Sequence, residues 1–200
     1  MAGIAIIGYG YWGPNLVRNF SGLAGASVEW VVDMRTERLE IIKKQYPNIR
    51  TTTNMEDALS DPKVTAVVVA TPVQYHYLLA KKALEAGKHV LIEKPMTQSS
   101  AEAEDLVAIS KEKGLVLMVD HTFLYTGAVR KIKELITSGE IGNIQYFDST
   151  RINLGLFQPD INVLWDLAPH DISILFYLIS DRPVSVSATG ISHTPNGTSR

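Results

Sequence analysis

The sequence predicts an α/β fold, a doubly wound parallel sheet followed by the opening of a second, α+β domain. Three observations carry this reading. Short β-branched runs alternate with helical stretches through residues 1–120, the rhythm of right-handed βαβ units. A glycine-rich turn joins the first run to the first helix. After Asp120 the rhythm changes to a helix, an alternating polar–apolar run, a second helix and a second alternating run.

Each element has a local reason. Ile4 to Ile7 is a short apolar strand that stops at Gly8, and Trp12 to Leu23 has helical spacing. Val28 to Val32 is a second strand ending at Asp33. Thr36 to Tyr46 places Leu39, Ile42 and Tyr46 on one helical face, and Pro47 stops it. A short extended piece, Ile49 to Thr52, precedes Asn54, which can cap a brief helix reaching Leu59. Thr65 to Ala70 is almost wholly β-branched and apolar, as expected of a strand buried on both faces. Pro72 opens a helix that Gly87 closes. His89 to Ile92 is the fifth strand. Ser99 or Ser100 caps a helix ended by Gly114, and Leu115 to Val119 is expected as a further buried strand.

Beyond Asp120, Tyr125 to Ser138 reads as a helix ended by Gly139, and Leu164 to Ile179 as another. Ile144 to Asn153 and Pro183 to Ile191 alternate like half-exposed antiparallel strands. Two such strands make a marginal sheet. This second domain, 121–200, is therefore expected to be the N-terminal part of a larger one, leaving an apolar face or strand edge exposed.

Hydrophobic residues make up 46% of the chain and charged residues 20%, which suits a globular protein with a real core rather than disorder. The net charge of -2 and the absence of long basic runs argue against a nucleic-acid partner. There is no cysteine, which rules out disulfides and thiolate chemistry within this sequence. The five histidines are scattered, with no metal-ligand spacing. No apolar run nears the roughly 20 residues that span a bilayer, and the first residues do not resemble a signal peptide. A cytoplasmic protein is the expectation.

The first turn carries the sharpest signal. Gly8-Tyr9-Gly10-Tyr11-Trp12-Gly13 is a Gly-x-Gly-x-x-Gly match that follows a strand and opens a helix, the context that makes it a dinucleotide-binding, Rossmann-type fingerprint. Gly8 permits the tight turn, Gly10 admits the pyrophosphate to the backbone, and Gly13 lets helix and strand approach. The helix N-terminus offers free N–H groups to phosphate. Asp33, at the end of the second strand, stands where a carboxylate accepts the adenosine ribose hydroxyls. Its charge opposes a 2′-phosphate, so NAD is expected over NADP, with Arg35 softening the preference. The competing reading is a glycine-rich turn of an unrelated α/β protein with Asp33 as a loop cap.

Glu93-Lys94-Pro95 follows the fifth strand. From charge alone, Lys94 reads as a solvated strand-end lysine. The segments GYGYWG, ATPVQYH (70–76), AGKHVLIEKP (86–95) and WDLAPHDI (165–172) occur together and in order. Together they resemble the glucose-fructose oxidoreductase/inositol dehydrogenase family, Gfo/Idh/MocA. The resemblance implies an NAD-dependent oxidoreductase in which Lys94 lies by the nicotinamide and substrate hydroxyl, Lys94–Pro95 is a cis bond, and Asp166 and His170 are the Asp-x-x-x-His pair. Helical spacing puts the latter two on one face. Ala168 stands where that motif usually has glycine, and Ser173 where an Asp is frequent.

The chemistry is intelligible. Hydride removal from an alcohol carbon needs a base for the hydroxyl proton, and histidine titrates near neutrality. A lysine ammonium can stabilise alkoxide charge. A packing role for His170 is the alternative. The expected catalytic set is Lys94, His170 and Asp166. The cofactor set is Gly8, Gly10, Tyr11, Trp12, Gly13, Asp33, Arg35, Thr71, Pro72, His76, Glu93, Lys94 and Pro95, although His76 reads equally as a surface cap. Arg151 and Asn153 join Lys94, Asp166 and His170 as substrate ligands, Arg151 being suited to a phosphate or carboxylate. The expected substrate is a sugar, with the 151–171 stretch resembling branches that oxidise nucleotide sugars at a pyranose 3-position. Inositol or a free sugar is the alternative, as is a non-catalytic NAD-binding regulator. A homo-oligomer is expected of the full-length protein.

Overall fold

A computed structural model describes residues 1–152 and 161–191. The chain divides into two compact units, Met1–Asp120 and His121–Arg200.

In the first unit, β1 (Ala2–Ile7), β2 (Ala26–Val32), β3 (Arg50–Thr52), β4 (Val64–Val69), β5 (His89–Ile92) and β6 (Leu117–Val119) form one sheet in the order β3-β2-β1-β4-β5-β6. Every neighbouring pair is parallel. The order reverses between β1 and β4, which makes the carboxyl ends of these strands the switch point where α/β sheets bind ligands.

Alternation along β1 sorts the core into two layers. Ile4 and Ile6 point to the face covered by α1 (Gly13–Ser21) and α2 (Thr36–Gln45), meeting Leu16, Val17, Leu39 and Ile42. Ala5 and Ile7 point to the other, meeting Ala58 and Leu59 of α3 (Met55–Leu59), Ala80 and Leu84 of α4 (His76–Glu85), and Leu106 of α5 (Ser100–Glu112). Fully burying one such Leu or Ile stabilises the fold by about 1.5–3 kcal/mol. Asn54 caps α3 by accepting from the Glu56 amide, and Ser99 caps α5 by accepting from Glu102. A 3-10 turn, Val73–Tyr75, lies between Pro72 and α4.

β6 departs from the sequence reading. It is shorter than expected and only partly buried, with Met118 exposed. It lies at the sheet edge beside β5, and Leu117 and Val119 pack against the core while Met118, on the opposite face, is exposed.

The second unit holds a 3-10 turn, Thr122–Tyr125, and the helices α6 (Gly127–Ser138) and α7 (Val163–Leu178). Gly139 ends α6 at φ 75°, a left-handed conformation that glycine adopts without a Cβ penalty. Asn162 caps α7, its Oδ1 accepting from the Trp165 amide at 2.9 Å. The Lys133 ammonium on α6 donates to the Leu178 carbonyl at the C-terminal end of α7.

The two alternating runs do not form strands here: residues 144–152 and 183–191 carry no ladder, and Asn153 lies outside the described residues. Alternation marks which side chains would share a face, but a strand is held only by a neighbour's hydrogen bonds. Tyr146, Ile152, Val184 and Val186 are accordingly 84%, 90%, 100% and 87% exposed.

Candidate functional site

The carboxyl ends of the strands gather most of the residues singled out in the first unit. Gly8 closes β1 at φ 98°, and a Cβ there would sit 2.4 Å from the Ala70 carbonyl oxygen. A Cβ on Gly13 would sit 2.7 Å from the Gly8 carbonyl oxygen. Both positions therefore require glycine for close backbone approach. Gly10 differs: a Cβ there would meet only Arg35 Nη2, at 3.9 Å. Its bare backbone faces open space, as a loop that receives a phosphate should. Trp12 precedes α1 without a side-chain cap, and the first turn holds no acidic residue, so the positive end of the helix is not neutralised from within. The donor set fits a dinucleotide pyrophosphate. Tyr11 and Trp12 are exposed beside it, their rings edge to face at 5.4 Å.

Asp33 is buried and heavily bonded. Its Oδ2 accepts from the Tyr9 amide at 2.7 Å, which ties the loop to the end of β2. Its Oδ1 accepts from the Arg35 amide at 2.9 Å. The Arg35 side chain adds Nε to Oδ1 at 3.0 Å and Nη2 to Oδ2 at 3.1 Å. Burial pushes the Asp33 carboxyl up, but these donors outweigh it and hold it below its ordinary 3.8.

At the next strand ends, the Glu93 amide donates to the Val69 carbonyl and the Asp120 amide to the Ile92 carbonyl, both at 2.9 Å. Glu93 and Asp120 thus sit side by side just past the ends of β5 and β6. Burial, the Asp120 charge and a hydrogen bond between the two push the Glu93 carboxyl up to about 7. Lys94 and Thr71 are half-buried, Pro72 is exposed, and Lys94–Pro95 is cis.

His76 is not where the sequence suggested. Its ring is 1% exposed, so it is neither a surface cap nor open to a cofactor. Nδ1 lies 2.9 Å from the Pro95 carbonyl oxygen and Nε2 lies 2.7 Å from that of Thr71. The cause is tertiary: the loops after β4 and β5 close over the start of α4.

In the second unit, Asp166 and His170 lie one turn apart on α7, both half-buried. The His170 ring packs edge to face on Phe123 at 4.7 Å. Arg151 stacks over the same Phe123 ring at 5.0 Å. Its Nε donates to Asp171 Oδ2 at 2.5 Å, and the Ser149 hydroxyl donates to Asp171 Oδ1 at 2.7 Å. Burial pushes Asp171 up, but Arg151 and Ser149 outweigh it and hold the carboxyl below its ordinary 3.8. The sequence reading missed Asp171, Ser149 and Phe123. The one signal available was an acid directly after the motif histidine. Asn153 lies outside the described residues. Among the described residues, no group of three or more His, Asp or Glu could hold a metal ion, and no helix is long and apolar enough to cross a membrane.

Strand order, glycine loop and strand-end acid define a dinucleotide-binding α/β protein. The chain belongs to the Gfo/Idh/MocA oxidoreductase family: the model described as "Oxidoreductase family, NAD-binding Rossmann fold" matches residues 2–121, and that of the "GFO/IDH/MocA C-terminal domain" matches 129–199. Among relatives, it is 30% identical over 195 residues to a UDP-N-acetylglucosamine 3-dehydrogenase of Acidithiobacillus ferrooxidans, covering 94% of this chain and 57% of that one. It is 28% identical over 207 residues to the scyllo-inositol 2-dehydrogenase (NADP(+)) IolW of Bacillus subtilis, covering 96% and 56%. The crystal structure of GenD2 from gentamicin A biosynthesis, in complex with NAD, aligns at TM-score 0.66 and 32% identity over 70% of this chain and 40% of that one. Apo scyllo-inositol dehydrogenase from Lactobacillus casei shares the fold at TM-score 0.78 and 19% identity, over 90% and 55%. The chain spans about half the length of the curated relatives it matches.

Proposed function

We propose that this protein is an NAD-dependent oxidoreductase that moves a hydride between the nicotinamide and a carbon bearing a sugar hydroxyl or ketone, with a nucleotide sugar oxidised at its 3-position as the preferred substrate. The observation that carries the reading is Lys94 at the end of β5, on the switch-point edge of a sheet whose glycine loop and Asp33 suit a dinucleotide. The nucleotide-sugar reading is supported by likeness to the UDP-N-acetylglucosamine 3-dehydrogenase along 94% of the chain.

Bound nicotinamide would supply the hydride acceptor or donor. The chain's own groups do the rest. Amides of the Gly8–Gly13 loop and the start of α1 hold the pyrophosphate. Asp33 accepts the ribose hydroxyls and opposes a 2′-phosphate, and Arg35 tempers that opposition. Thr71, Pro72, Glu93, Lys94 and Pro95 line the nicotinamide side. Lys94 donates to the substrate oxygen and stabilises its developing negative charge. His170 takes the hydroxyl proton, and Asp166, one turn before it on α7, orients the ring or binds a neighbouring hydroxyl. Arg151 keeps guanidinium N–H groups beyond the one given to Asp171, which suits it to the substrate phosphates.

The test is NADH absorbance of the full-length protein on addition of UDP-sugars, inositols or free sugars. Reduction with a UDP-sugar alone is expected. Reduction with inositol alone would move the substrate class to the alternative that IolW represents, and a response to none of the three groups would defeat the assignment.

A further inference from the structure

We propose that His76 is a positioning residue, an internal strut that joins the loop after β4 to the loop after β5 and so sets where Lys94 stands. This rests on the role proposed above for Lys94.

The ring is 1% exposed at the first residue of α4. Its two nitrogens reach in opposite directions to main-chain oxygens, Thr71 at 2.7 Å and Pro95 at 2.9 Å. Carbonyl oxygens only accept. An imidazolium donates to both at once, and a neutral ring donates to one of them. Burial pushes the ring's pKa down while the backbone carbonyls pull it up, with burial winning. Burial favours the neutral ring, which donates to one of the two oxygens and packs against the other; the Pro95 contact is buried, where an unmet acceptor is costly. Thr71 directly follows the stretch from β4 that packs on Gly8, where a Gly8 Cβ would meet the Ala70 oxygen at 2.4 Å and the Thr71 Cγ2 at 3.0 Å. Pro95 directly follows Lys94. The side chain therefore braces the backbone after β4 and after β5, on one side of the switch point, from the first residue of a helix rather than from a loop. Both of these hydrogen bonds run to main-chain oxygens and the ring is buried, so it acts on substrate through Lys94 and not directly.

Displacing a catalytic group by about 1 Å can cost on the order of 100-fold in rate. In the full-length protein, His76→Phe keeps the ring's bulk and removes its hydrogen bonding, and His76→Gln keeps a side-chain N–H donor. Turnover should fall tenfold to hundredfold in His76→Phe and less in His76→Gln, with KM for NAD changed less than threefold. Amide hydrogen exchange in the cofactor-free protein should rise at Lys94, Met96 and Thr97 in both variants and stay unchanged in β1. The decisive measurement is the double variant. If His76 acts through Lys94, His76→Phe should cause little further loss in a Lys94→Ala background, because the residues then form one unit. Equal losses in both backgrounds, or exchange rising throughout the sheet, would show a purely structural histidine and overturn the inference. Undiminished turnover in Lys94→Ala alone would instead defeat the proposed function.

Discussion

Asp33 is the residue expected to bind the adenosine ribose, yet all of its acceptor positions are in use. A carboxylate offers about four lone-pair sites. The Tyr9 and Arg35 amides occupy two as part of the backbone, and the Arg35 guanidinium occupies the other two. Ribose hydroxyls must displace the guanidinium. Its side chain is 48% exposed against 6% for Asp33, so water takes over its hydrogen bonds when it leaves. Pairs with an exposed partner contribute about 0–1 kcal/mol net. Arg35→Ala should therefore tighten NADH binding modestly, by up to about fivefold. NADPH should respond oppositely. Removing one charge-assisted contact to the 2′-phosphate costs about 1.5–3 kcal/mol, roughly tenfold to over a hundredfold in affinity. The assay is fluorescence titration of both reduced cofactors against wild type and variant. If the variant lost NADH and NADPH affinity equally, Arg35 would not compete for Asp33, and the account of cofactor choice would fail.

Further outcomes follow from the same geometry. Lys94→Ala and His170→Ala should each lower turnover by about 100-fold to 10,000-fold, far more than they weaken NADH binding; steady-state kinetics beside a binding titration would show otherwise if affinity fell as much as rate. Gly13→Ala forces a Cβ to 2.7 Å from the Gly8 oxygen and should destabilise the cofactor-free fold by about 1–3 kcal/mol, whereas Gly10→Ala meets only Arg35 and should leave melting unchanged while weakening NADH. Matching melting shifts in calorimetry of the two variants would contradict this. The folded-state pKa of Glu93 is raised, so its favourable share of stability is complete below its ordinary 4.5 and is lost as pH climbs through about 7. The stability of wild type relative to Glu93→Gln, from urea unfolding across that window, should decline with pH; a constant difference would mean that Glu93 ionises normally.

Local signals in the chain were enough for the first unit's element order. β-branched runs too short to be helices, caps at Asn54 and Ser99, and glycines where the backbone turns are each decided by a few neighbouring residues. The glycine loop was legible for the same reason: Gly8 turns at φ 98° and Gly13 must clear the Gly8 carbonyl, although the Ala70 carbonyl that also crowds Gly8 comes from the end of β4. Other features depended on which strand ends became neighbours. His76 is buried because two loops far apart in sequence close over it. Glu93 is raised by burial and by the Asp120 carboxylate that β6 sets beside it, and Arg151 is bound to an acid on a helix twenty residues later. The runs 144–152 and 183–191 mark the limit most clearly. Their alternation was plain in the sequence, but side-chain alternation specifies only a face, and whether a strand exists is decided by the backbone that lies alongside it.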